Sequence, residues 1–197
     1  MSEERSADPR WGDLDADPAL AAAVLEIEGH LAEGGWDQAA RLYALVDTTA
    51  LIAEEPQLAA SMGLDSQPVA GSLTAVEQDQ LDSTQPLEQM LESIAWPEKV
   101  AGVAAMVERF VLPPGSDVEL PEGAEAARAF ARDHPDRQEV RIVAGATRAG
   151  SSYCALRLRS HDDATSVVGG VDLVPGLLGL LHATLQLDTD DPQEETP

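Results

Sequence analysis

The stretch QEVRIVAGATRAGSSYCALRLR, Gln138 to Arg159, decides how this chain folds. Residues of one kind recur at every second position, which is the period of a half-buried strand. Val140, Ile142, Ala144 and Ala146 share one face of a first strand, and Cys154, Leu156 and Leu158 share one face of a second. Both apolar faces must point the same way, and this selects a three-residue loop of Arg148, Ala149 and Gly150, with Gly150 supplying the left-handed turn residue. The resulting register sets Ile142 opposite Leu156 and Ala144 opposite Cys154. On the other face, Glu139 stands opposite Arg159 and Arg141 opposite Arg157. The first is an attractive cross-strand pair. The second places like charges together at a cost of about 0.2–1 kcal/mol unless a negative group bridges them.

That hairpin is unusual in its surroundings. Residues 141–160 contain four arginines and no carboxylate, in a chain of 197 residues with a formal net charge of -24. A basic strip on an acidic body needs a counter-charge, either an internal carboxylate or a bound anion. In the internal reading, a carboxylate from a helix over the sheet forks onto the guanidinium groups. In the other, Arg141 and Arg157, with Tyr153 and Arg159 beside them, hold a phosphate or carboxylate ligand.

Working outward, helix signals flank the hairpin. Asp17-Pro18 caps a helix that stops at Gly34-Gly35, with Leu20, Val24, Ile27 and Leu31 forming its apolar stripe. Residues 41–46 read as a buried strand. Asp47 then caps a helical stretch that breaks at Glu55-Pro56 and stops at Gly63. Leu73 to Leu81 reads as an edge strand, Leu87, Met90, Leu91 and Ile94 as a helix, and the valine-rich run 100–112 as a central strand. A short helix over 121–133 precedes the hairpin. Asp172 to Leu187 closes the chain as a helix that is apolar nearly all round, packed across the sheet or, alternatively, forming the seam of a homodimer. The sum is a single α+β domain over 17–187, with a mainly antiparallel sheet of about four or five strands covered by helices. The polar, acidic ends 1–16 and 188–197 read as disordered tails.

Composition narrows the function. The opening MSEERSADPR is unlike an export signal, and the greasy segment 173–187 is too short and too interrupted by Pro175, Gly176 and Gly179 to cross a bilayer, so a cytoplasmic protein without membrane contact is expected. Eleven of the twelve bases are arginine, Lys99 being the sole lysine, and 36 carboxylates oppose them, which disfavours nucleic acid. The excess is concentrated early: residues 1–98 carry 20 carboxylates and 3 bases, residues 99–197 carry 16 and 9. A basic protein is therefore the expected partner of the N-terminal half. Cys154 is alone, so neither a disulfide nor a thiolate metal cage is expected.

Catalytic signatures are lacking. His161-Asp162-Asp163 reads as a solvated turn, and His30, His134 and His182 are too scattered for a metal site. Asp47 has a cap's position, Ser151 and Ser152 lack a nucleophile-elbow pattern, and Cys154 points into the core. No catalytic residue, metal ligand or cofactor is assigned. The expectation leans away from an enzyme and toward an interaction or chaperone-like adaptor with an acidic surface. A small-anion binding module is the second reading, and an enzyme built on an acidic residue the third.

Four segments, GGWDQAARLYALVDTTALIAEEPQLA (34–59), IAWPEKVAGVAAMVERFVLPP (94–114), HPDRQEVRIVAGATRAGSSYCALRLRSHDD (134–163) and DLVPGLLGLLHATL (172–185), resemble those of a family of uncharacterised actinobacterial acidic proteins. The resemblance covers nearly the whole chain outside its ends. It implies a cytoplasmic single domain and transfers no catalytic residue.

Overall fold

A computed structural model describes residues 16–64, 67–78, 85–112 and 121–187. The expected tails, 1–16 and 188–197, lie outside these apart from Ala16. Helix α1 (Pro18–Glu33) begins as its sequence dictates: the Asp17 carboxylate accepts from the amides of Ala19 and Leu20, with proline in the first turn. It ends where Gly34 donates back to the Leu31 carbonyl and Gly35 turns left-handed at φ 77°. Its stripe of Leu20, Val24, Ile27 and Leu31 is buried, and so is Glu28, a carboxylate set among them.

Among the described residues the sheet has six strands rather than four or five. In chain order they are β1 (Arg41–Asp47), β2 (Leu73–Glu77), β3 (Gly102–Val111), β4 (Gln138–Thr147), β5 (Ser152–Leu158) and β6 (Val168–Gly170). Their spatial order is β2-β1-β3-β4-β5-β6, every neighbouring pair antiparallel. The additional strand is β6, whose three residues include two glycines and are too few to show an alternation. It forms because β5 offers a free edge, and a side chain at Gly169 would collide with the Tyr153 hydroxyl. The 73–81 edge strand ends at Glu77, with residues 79–84 outside the described set.

The β4–β5 hairpin has the expected register, with Ile142 opposite Leu156, Ala144 opposite Cys154 and Arg141 opposite Arg157. Gly150 takes φ 91° and donates to the Thr147 carbonyl at 3.0 Å. Where the structure departs from expectation is in depth: both faces of the sheet are covered. On one, α4 (Leu87–Leu91), Trp96 and α6 (Pro175–Gln186) pack over Val103, Ala105, Ile142, Ala144 and Cys154. On the other, α1 packs over Tyr43, Leu45, Ala104, Met106, Val143 and Ala155. This second core exists because the positions alternating with the first are themselves apolar through the middle of β3, β4 and β5. Gly145 also lets α1 approach closely, since a Cβ there would lie 2.7 Å from Val24 Cγ2.

Short helices α2 (Thr48–Glu54) and α3 (Pro56–Ser61) follow β1, broken at Pro56 as expected, and α5 (Ala124–Asp133) leads into β4. Helix α6 starts at Pro175, three residues later than expected, and packs across the sheet through Leu178, Leu181 and Leu185. Trp96 Nε1 donates to Thr184 Oγ1 at 3.1 Å, fixing it to the loop before β3. Arg148 locks the same corner, donating to the carbonyls of Val100 (2.9 Å), Trp96 (2.8 Å) and Leu185. Among the described residues no helix is long and apolar enough to cross a membrane.

Candidate functional site

Three arginines of the strip, Arg141, Arg157 and Arg159, lie beneath α1 and the loop that follows it, while Arg148 holds the opposite corner. A cross-strand row places Glu108 of β3 beside Arg141 of β4, and Arg141 beside Arg157 of β5. Arg157 is met from above by Glu28 of α1, both side chains being almost inaccessible (5% and 3%), with a two-pronged contact at 2.6 and 2.7 Å. The hydrogen bonds it donates to Glu28 hold the Arg157 guanidinium above its ordinary pKa. Arg141 is fully buried and donates from Nε and Nη2 to Glu108 Oε1, at 3.1 and 2.7 Å. The like-charge pair foreseen in the hairpin is thus divided between two carboxylates, one from the sheet and one from the helix.

The loop Gly34–Gln38 closes the strip. Glu108 Oε2 accepts from the amides of Asp37 (2.7 Å) and Gln38 (3.1 Å), and Arg141 Nη2 donates to the Gly35 carbonyl. These contacts hold Asp37 at φ 65°, a left-handed conformation that a short polar side chain tolerates better than most. The Trp36 ring covers Arg141, 4.6 Å from guanidinium carbon to ring centre, and its Nε1 donates to Asp162 at 2.9 Å. Arg159 reaches Asp37 through two bonds (2.8 and 2.9 Å) and Glu139 at 2.9 Å. That contact lowers the pKa of Asp37 and raises that of Arg159.

The structure therefore brings Arg141, Arg157 and Arg159 together, but not Tyr153. The tyrosine sits four residues back along β5, about 13 Å from Arg157 at strand spacing, over Gly169. Carboxylate oxygens of Asp37, Glu108 and Glu139 lie within 4.8 Å of one another, a spacing that suits a cation. Arg159 donates to two of these carboxylates and Arg141 to the third, so guanidinium groups supply the positive charge there. One donor remains: Arg141 Nη1 is buried and has no hydrogen-bond partner among the described residues.

The other residues singled out from sequence have local tasks. Asp47 accepts from the Ala50 amide at 2.9 Å, capping α2. Asp163 caps the turn 164–166 through Thr165 and Ser166, whose bonds lower its pKa, while His161 is exposed. Ser152 shares a 2.8 Å hydrogen bond with His182 of α6, and Cys154 is buried, with burial pushing its thiol pKa up.

A second feature had no signal in the sequence. Between α1, residues Met62, Leu64, Pro68 and Ser72, and the edge strand β2 lies a groove of about 480 Å³. Ile27, Met62, Leu64, Leu73 and Ala75 give it apolar walls, and Glu26, His30 and Glu77 line it as polar groups. The Tyr43 hydroxyl borders it with a pKa raised to about 12, first by burial and then by the charge of Glu77. It remains a neutral phenol at physiological pH.

A family model described as PPA1309-like protein matches residues 20–186, from α1 to the last residue of α6. The chain belongs to the PPA1309-like protein family. No curated protein and no solved structure matches it. The PPA1309-like region takes in both the guanidinium strip and the β2 groove.

Within that region, the partners missed from sequence had traceable signals. Glu28 sits on the apolar stripe of α1, and Glu108 follows an unbroken apolar run in β3. A carboxylate in either place is expensive to bury without a cation facing it. Trp36 and Asp37 carried no comparable signal, because their role depends on how the loop folds over β4.

Proposed function

We propose that this PPA1309-like chain is a non-enzymatic, cytoplasmic interaction protein of actinobacterial type, a chaperone-like adaptor whose acidic N-terminal half receives a basic protein partner. The observation that carries this reading is where the positive charge goes. Arg141 and Arg157 are engaged with Glu108 and Glu28 inside the fold, and Arg159 with Asp37 and Glu139 at its surface. Between residues 16 and 98 the only base is Arg41, which is itself paired with Glu77. Glu26, Glu33, Glu54 and Glu55 are exposed in the same region, so the surplus negative charge faces solvent. A basic surface would gain from this field both in rate of encounter and in selectivity against acidic competitors.

The anion-module reading has one specific support, the unpartnered Nη1 of Arg141. It is weakened by the carboxylates that already occupy the other guanidinium donors, since a second anion there would face Glu28 and Glu108.

Affinity capture from native lysate, repeated as salt is raised past about 0.1 M, where the screening length falls to about 10 Å, tests the adaptor reading. The expected result is recovery of proteins with basic segments, lost as salt rises. Recovery of acidic or neutral partners with no salt dependence overturns it.

A further inference from the structure

Among the described residues strand β2 is one edge of the sheet, its only strand neighbour being β1. The alternation of its backbone can be read from the bonds at its two ends. The Gln78 amide donates to the Leu42 carbonyl at 2.8 Å, and the Thr48 amide donates to the Ser72 carbonyl at 3.0 Å. With Val76 opposite Ala44 and Thr74 opposite Val46, the even-numbered residues of β2 are those that bond to β1. The N–H and C=O groups of Leu73, Ala75 and Glu77 therefore point away from the sheet, along its open side. The side chains of these same three residues line the groove. An open ladder and an apolar slot share one strand.

We propose that β2 is a docking edge that accepts an extended segment of a basic partner by strand addition, seating apolar side chains in the groove and basic ones against its acidic lining. The proposal rests on the adaptor reading and specifies where and how the partner binds. Adding a strand satisfies the outward backbone groups with main-chain hydrogen bonds, and the pleat sends alternate side chains of the added segment to the α1 side of the sheet. The walls of Ile27, Leu73, Ala75 and Met62 favour apolar residues at those positions. Met62 of the groove wall is 39% exposed, apolar surface that a bound segment can cover. Charge complementarity selects the sign of the segment: Glu26 and Glu77 line the slot, and among the described residues the basic groups beside them are Arg41, already bound to Glu77, and His30, which leaves Glu26 as the unpaired charge. A second copy of a chain carrying -24 brings the wrong charge to the same edge.

The test uses the full chain and a capped nine-residue peptide of alternating lysine and valine, with a glutamate-for-lysine peptide as control. Amide hydrogen exchange is followed at Leu73, Thr74, Ala75, Val76 and Glu77, together with binding by fluorescence anisotropy. In the free protein the even amides should be protected and the odd ones not. Saturation with the lysine peptide should protect Leu73, Ala75 and Glu77, and Ala75→Pro should weaken binding about tenfold or more while leaving the β1 ladder bonded. If that variant misfolds, the exchange pattern of the unaltered chain still decides. Odd amides protected in the free protein, or protected by formation of a dimer, overturn the proposal. Salt-sensitive binding of the lysine peptide without protection of these amides overturns edge addition and leaves the acidic-surface reading standing. Equal or absent binding of both peptides removes both.

Discussion

Replacing Arg157 by methionine isolates its buried, two-pronged contact with Glu28. Methionine keeps most of the arginine stem's volume, so the change removes charge more than packing. It leaves Glu28, whose side chain is 3% exposed among the buried residues of α1, without its two donors at 2.6 and 2.7 Å. Removing one member of a buried pair costs about 3–5 kcal/mol. In a chain of this size that is a large share of a total stability of roughly 5–15 kcal/mol, and it corresponds to a melting-temperature drop of roughly 6–20 °C. Glu28→Gln should cost less, because Arg157 keeps Asp162 at 3.6 Å. The double variant Glu28→Met with Arg157→Met removes both charges and should return to within about 1 kcal/mol of the starting protein, or exceed it. Urea denaturation of the four proteins measures all three differences. An Arg157→Met loss below about 1 kcal/mol, or a double variant less stable than that single one, would refute the assignment of this pair as buried and mutually dependent.

Two further outcomes follow from other parts of the fold. Asp37 has its pKa lowered by Arg159, so its contribution is present above the ordinary carboxylate value of 3.8 and disappears as pH falls through the lower folded value. Trp36 emission, taken as the difference from Trp36→Phe, should therefore change with a midpoint below pH 3.8, and a transition near neutrality would contradict the clasp. Gly145→Ala would press a methyl group against Val24 Cγ2 and Leu20 Cδ1, at 2.7 and 3.0 Å. Calorimetry should record a loss of about 1–3 kcal/mol from lifting α1, and an unchanged melting temperature would mean that α1 does not sit this close.

What the linear chain determined was local. The Asp17-Pro18 start and Gly34-Gly35 stop of α1 depend on capping chemistry within one turn, and the structure carries both. The hairpin register follows from a two-residue period and one left-handed glycine, so Arg141 and Arg157 could be placed face to face before any long-range contact was known. Tertiary structure decided the partners. Glu28 is 129 positions from Arg157, and Glu108 is 33 from Arg141, separations over which neither periodicity nor spacing carries information. It also decided that both sheet faces are covered, since apolar residues at alternating positions of β3 to β5 leave open whether a helix will lie over them. Strand β6 and the β2 groove arise in the same way. A three-residue strand needs an existing edge to pair with, and a groove belongs to the space between elements rather than to the residues of any one of them.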